Sequence, residues 1–272
     1  MKTLLVVTAH PDDETFFFGG TIATYAQLGW NVVLLVVTNG EAGKNAVDPS
    51  LMKNELSEIR LRELEKACSI LGVSSRLTLG FADGKLNSCE PGEIEDVLYE
   101  KLCTIIPDVV LTFSPTGFTG HPDHLKVYRS TTYAFQKYSA FIAEKVKIIE
   151  NMHASGNSQT EETEMVQPKL YYSVLPSSIA SYLIRNKVLP LEMYGQPLTG
   201  THDKFISTII DIMQVQQQKF DAAKAHASQE KDIERFANSF DHPLMKNEYF
   251  VLRYDGIIEA FAGKNDIVSG EL

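Results

Sequence analysis

The sequence predicts a doubly wound, Rossmann-like α/β fold with a mainly parallel sheet. Three observations predict it. Residues 4–9, 31–37 and 107–113 are short, nearly unbroken apolar runs rich in Val and Leu, the pattern of strands covered on both faces. Stretches of helical periodicity lie between the runs. Turn residues bound each run, so strand and helix alternate, which implies parallel strands joined by right-handed crossovers.

Residues 4–9 form the first strand. Residues 20–29 are long enough for a crossover helix that closes on Gly29. Residues 31–37 are the second strand. Residues 51–71 are the clearest helix, with Leu56, Ile59, Leu64, Ala67 and Leu71 near helical spacing and Gly72 at the stop. Residues 77–79 are a weak third strand, 93–105 a further helix and 107–113 the fourth strand. After Tyr138 the pattern fades. The polar stretch 151–167 reads as a mobile surface insertion. Beyond it, 170–175 reads as a strand, 205–225 as a helix and 248–254 as a late strand. No repeat or linker interrupts residues 1–272, so one domain with a decorated C-terminal half is expected.

Composition narrows the function. The chain has 272 residues, 44% of them apolar and 22% charged, which excludes disorder, collagen and coiled coil. A net charge of −10 gives no general attraction for nucleic acid or anionic lipid. Cys68, Cys89 and Cys103 are odd in number and lack CxxC spacing, so a disulfide framework and a cysteine zinc knuckle are not expected. Reduced thiols suit a cytoplasmic protein. The N-terminal apolar run meets His10 too early to be a signal peptide. No stretch approaches the ~18 apolar residues of a spanning helix.

Two clusters carry the chemistry. The first strand opens into Ala9-His10-Pro11-Asp12-Asp13-Glu14, and the fourth is followed by His121-Pro122-Asp123-His124. Acids at a helix N-terminus would account for Asp12, Asp13 or Glu14 singly, but not for the histidine and paired carboxylates at the end of a buried strand. Histidine and aspartate together make good zinc ligands. With strand order 3-2-1-4-5, both clusters leave neighbouring strands at the crevice where strand order reverses, the expected binding site. Spacing alone does not tell Asp12 from Asp13. No GxGxxG supports a nucleotide-binding oxidoreductase, since Phe17-Phe18-Gly19-Gly20 does not make one.

The ordered pair of motifs resembles the PIG-L/LmbE-like zinc-dependent N-deacetylases, whose known members remove acetyl from N-acetylglucosamine units. The likeness extends to Thr38-Asn39-Gly40-Glu41-Ala42-Gly43, to Arg60, Glu63, Ala67, Leu71 and Gly72, to Asp83-Gly84-Lys85-Leu86, and to a late His226-Ala227-Ser228-Gln229 motif. The resemblance implies one zinc ion held by His10, Asp13 and His124, although other first-row metals suit the same ligands. It implies Asp12 as general base, His121 as acid and oxyanion stabiliser, and Asp123 as the residue that orients a histidine. Arg60, Asp83 and His226 are the substrate-binding candidates. Their ordinary readings are a helix-surface arginine, a turn residue and a cation suiting a helix C-terminus.

The implied reaction is removal of acetyl from a small sugar conjugate. The alternative is a zinc amidohydrolase of the same fold acting on another N-acyl compound. A metal-dependent binder would need neither Asp12 nor His121. Homo-oligomers are common among bacterial members, but no interface is visible in the sequence. Some members of the mycothiol branch carry tyrosine two positions before the first histidine of the second motif, where this chain has Thr119.

Overall fold

The computed structural model describes residues 1–43, 48, 50–154, 166–230, 233–234, 243–260 and 268–272. In chain order these form β1 (Thr3–Thr8), α1 (Asp13–Gln27), β2 (Asn31–Thr38), α2 (Lys53–Leu71), β3 (Ser75–Phe81), α3 (Glu93–Ile105), β4 (Val109–Phe113), a helical turn α4 (Gly117–Gly120) and α5 (Pro122–Ala154). There follow β5 (Lys169–Ser173), α6 (Ser177–Arg185), the hairpin β6 (Glu192–Met193) and β7 (Gln196–Pro197), β8 (Thr208–Asp211), α7 (Gln216–Ala225), β9 (Asn247–Asp255) and β10 (Ile258–Glu259).

Eight strands build the main sheet in the order β3-β2-β1-β4-β5-β9-β10, with β8 also paired to β9. Strands β1 to β5 are parallel to one another, and β9 pairs antiparallel with β5, β8 and β10. Every residue of β1 and β4 is buried, because helices cover both faces of a parallel sheet. The 3-2-1-4-5 order is present, and it sets the carboxyl ends of β1 and β4 side by side.

Three segments depart from expectation. The first crossover helix begins at Asp13 rather than Gly20, since the motif's polar residues are its first turn. The segment 205–225 is not one helix. Thr208, Ile209 and Ile210, all β-branched, form β8 against β9, and only Gln216–Ala225 is α-helical. Of the expected insertion 151–167, residues 151–154 finish α5, while 155–165 lie outside the described residues.

Candidate metal and hydrolase site

The tight turn after β1 shapes the first half of the site. Asp12 has a backbone φ of 115°, a conformation that holds a non-glycine residue at a cost of order 1–3 kcal/mol. The Asp13 carboxylate accepts the backbone N–H groups of Ala9 and His10 at 3.2 and 2.8 Å. That turn directs both aspartates and His10 to the mouth of the β1–β4 crevice. The second half comes from β4, α4 and the first turn of α5.

Asp13 links the halves. Its Oδ2 lies 3.4 Å from His10 Nδ1 and its Oδ1 lies 3.2 Å from His124 Nε2. Ligands about 2.0–2.1 Å from a tetrahedral zinc stand about 3.3 Å apart, so the spacing matches a metal's coordination edge. Each ring is oriented through its other nitrogen, as metal-binding histidines are. His124 Nδ1 donates to the Gly117 carbonyl at 2.9 Å, and the ring stacks on Phe113 with centroids 4.1 Å apart. His10 Nε2 faces Asp83 at 3.1 Å and Asp123 at 3.3 Å. The donor set therefore fits zinc at His10, Asp13 and His124. His10 is also grouped with His121 and His124, their ring nitrogens all within 4.8 Å.

Electrostatics agree with a cation here. Burial opposes charge on His10, but Asp123, Asp13 and Asp83 outweigh it and push its pKa well above the ordinary value. Burial opposes ionisation of Asp13, yet His124 and His10 hold its carboxyl well below the usual range. Asp83 is likewise held down, to about 2, by His10 and the Ala42 N–H against the cost of burial. Asp12 goes the other way. Burial, helped by the Asp13 charge, pushes it up to about 6 against the pull of Arg60.

His121 stands edge-on to His10, with ring centroids 4.8 Å apart, and 4.9 Å from His124. Its Nδ1 accepts the Asp123 backbone N–H at 3.1 Å. Burial and the neighbouring histidines lower its pKa to about 4. Asp123 does orient a histidine, but that histidine is His10. Its carboxylate also accepts the N–H groups of Gly84 and Leu86.

The three substrate-binding candidates lie deeper than the sequence suggests. Arg60 is buried, not on a helix surface, and donates to the carbonyls of Pro11 and Gly40 and to Asp12 Oδ2 at 3.0 Å. Asp83 is buried, with one oxygen on His10 and the other accepting the Ala42 N–H at 2.8 Å. His226 is fully buried, its Nε2 2.7 Å from Glu14 Oε1. Sequence reasoning missed Glu14, Glu63 and Tyr194. Glu14 was visible within the first motif but has an ordinary reading as a helix N-terminal acid. Tyr194, at the tip of the β6–β7 hairpin, sits edge-on to His121 with centroids 4.7 Å apart. No motif marks it.

With this geometry in hand, likeness to known proteins decides the family. Residues 5–135 match the PIG-L family, described as GlcNAc-PI de-N-acetylase. A 1D-myo-inositol 2-acetamido-2-deoxy-alpha-D-glucopyranoside deacetylase from Rhodococcus jostii is 31% identical, over 97% of this chain and 94% of the relative. The chain belongs to the PIG-L family.

PIG-L deacetylases are metal-dependent hydrolases, and the His/Asp cluster of this chain could hold a metal ion. A deacetylase of the same name from Thermobifida fusca is 30% identical over 92% of both chains. Among solved structures, the N,N'-diacetylchitobiose deacetylase from Pyrococcus horikoshii shares the fold, with a TM-score of 0.63, 22% identity and coverage of 94% of this chain and 85% of that one. So does GalB, a 4-carboxy-2-hydroxymuconate hydratase from Pseudomonas putida, with a TM-score of 0.64, 19% identity and coverage of 96% and 99%. One architecture thus serves different reactions, and the PIG-L chemistry of this chain is argued from its residues.

Proposed function

We propose that this chain is a zinc-dependent hydrolase that removes acetyl from an N-acetylglucosamine-type sugar conjugate. The observation that carries the reading is Asp13 bridging His10 and His124 at 3.4 and 3.2 Å, with Asp12 and His121 flanking those ligands in sequence. The substrate class comes from the relatives, which are named as deacetylases of an inositol-linked acetamidoglucoside.

An amide is a poor electrophile and water a poor nucleophile. Bound zinc would lower the pKa of a water toward about 7 and polarise the acetyl carbonyl. The chain's residues do the rest. Asp12, fixed by Arg60, takes a proton from the attacking water and can pass it toward the departing amine. His121, with Nδ1 committed as an acceptor, carries its hydrogen on Nε2 and offers it as a hydrogen bond to the oxyanion that develops on the carbonyl. Asp123 and the Gly117 carbonyl keep His10 and His124 aimed.

The test is acetate release from free N-acetylglucosamine, diacetylchitobiose and inositol- and malate-linked N-acetylglucosaminides, with metal analysis. Wild type should hold about one zinc per chain and deacetylate at least one of these. His10→Ala and His124→Ala should lose the metal. Asp12→Asn should keep it and lose about 10²–10⁴-fold in kcat. Acetate release from none of them would favour another N-acyl substrate. Asp12→Asn within a few-fold of wild type would move the base elsewhere.

A further inference from the structure

The late His226-Ala227-Ser228 turn lies behind the site, and its bonds to Glu14 and Glu63 lead toward Asp12. His226 Nε2 bonds Glu14 Oε1 at 2.7 Å, and Thr15 Oγ1 donates to the same oxygen at 2.6 Å. The other Glu14 oxygen accepts the Asp12 backbone N–H at 2.9 Å. That is the residue held at φ 115°. Ser228 donates its N–H and its hydroxyl to the two oxygens of Glu63, at 2.8 and 2.6 Å. Glu63 lies on α2 three residues after Arg60, on the same face, and Arg60 holds the Asp12 carboxylate. Glu14 and His226 are fully buried, and Ser228 and Glu63 nearly so. His226 Nδ1 has no partner among the described residues, so the ring's polar role is directed at Glu14.

We propose that this turn is the positioning device of the general base. His226 sets Glu14, which pins the Asp12 backbone, and Ser228 sets Glu63 beside Arg60, which pins the Asp12 carboxylate. Neither residue meets substrate. The inference rests on Asp12 being the base, and it assigns a positioning role to a motif otherwise read as part of substrate binding.

A double-mutant cycle tests it. His226→Phe removes the N–H donor to Glu14 and should lose about tenfold or more in kcat, since a small misplacement of a catalytic group is enough for that. KM and zinc content should stay unchanged. His226→Gln, which keeps an N–H donor, should recover most of the loss. Ser228→Ala, a minimal change, should lose a few-fold in kcat. In an Asp12→Asn background neither His226→Phe nor Ser228→Ala should lower the residual rate further. Equal losses in both backgrounds, or losses in KM or zinc, would overturn the proposal. Ser228→Ala decides alone where His226→Phe does not fold. Asp12→Asn near wild type would instead overturn the reading of the base itself.

Discussion

In the proposed reaction His121 acts as a neutral hydrogen-bond donor, a state set by its burial and neighbouring histidines and matched by one backbone N–H. A protonated His121 would set an Nδ1–H against the Asp123 N–H, which lies 3.1 Å away and already points at that nitrogen. The acid role that the family resemblance implies for His121 would need an imidazolium offset by a nearby carboxylate, but the Asp123 carboxylate is committed to His10, Gly84 and Leu86. Burial, together with the charges of His10 and His124, lowers His121 to about 4, so it is already neutral throughout the working range near pH 7. A neutral donor can be replaced by another. His121→Ala should keep zinc and lose about 10²-fold or more in kcat, while His121→Gln should retain a clear part of that. The basic limb of the kcat–pH profile should be the same in His121→Gln as in wild type. Steady-state profiles with metal analysis check this, and a Gln variant as poor as Ala with a vanished basic limb would restore the imidazolium. His10, Asp13, His121 and His124 are legible in sequence because two polar motifs close two apolar strands. The placement of Arg60 and His226 is not. A sequence shows that a helix carries an arginine, but not that a carboxylate and two carbonyls wait for it inside.

The helix that carries the first motif is held by side chains from the C-terminal half. Glu248, at the start of β9, accepts the N–H groups of Gly20 and Thr21, each at 2.8 Å. In a regular helix those donors pair with the carbonyls of Phe16 and Phe17. Here Lys219 Nζ donates to the Phe16 carbonyl at 3.1 Å and Ser173 to that of Phe17 at 3.2 Å. Lys219 and Glu248 are themselves 2.7 Å apart and buried. Gly19 leaves room for Lys219, whose Cγ would stand 3.2 Å from a Cβ there, and Gly20 leaves room for Ile212, which a Cβ would meet at 2.4 Å. Removing one member of a buried pair leaves the other uncompensated and typically costs about 3–5 kcal/mol. Glu248→Ala should therefore lower the Tm by on the order of 10 °C, and adding Lys219→Met should return part of it. Thermal unfolding of the three variants checks this, and a Glu248→Ala shift of a degree or two would show the pair to be dispensable. The same contacts explain why the early elements are easier to read than the late ones. β1, β2 and β4 are marked by their own apolar runs, and α3 falls at residues 93–105 as periodicity places it. β8 is a four-residue strand whose identity is set by pairing with β9 across a long sequence gap, and its three β-branched residues are too short a run to outweigh the helical reading of residues 205–225.

At the scale of the molecule, the proposed metal site sits against the folding core, touching it through the His124–Phe113 stack and the Ala9 N–H. The fully buried residues of β1, β2 and β4 form one apolar cluster with α1, α2, α3 and α5, which packs without the proposed zinc ligands' polar groups. The family match ends at residue 135, yet the later half adds the antiparallel edge β8–β10 and the turn at residues 226–228 that bonds Glu14 and Glu63. The site gathers the buried or nearly buried carboxylates of Asp12, Asp13, Asp83 and Asp123 around Arg60 and the histidines. Such an excess of acid is stable when a divalent cation shares it, and uncomfortable without one. Chelation should therefore lower the Tm without unfolding the chain, unlike a small zinc domain that has no core of its own. A ligand at 100 times its Kd adds about 2.7 kcal/mol to the folded state, which for a chain of this size is on the order of 5–10 °C. Zinc added back should restore the loss in wild type and not in His124→Ala. Scanning calorimetry with and without chelator, alongside far-ultraviolet circular dichroism, measures both parts. Loss of helical signal on chelation at room temperature would show that metal and core fold as one. An unchanged Tm would show that the acids are stable without a cation and take the metal out of the structural account.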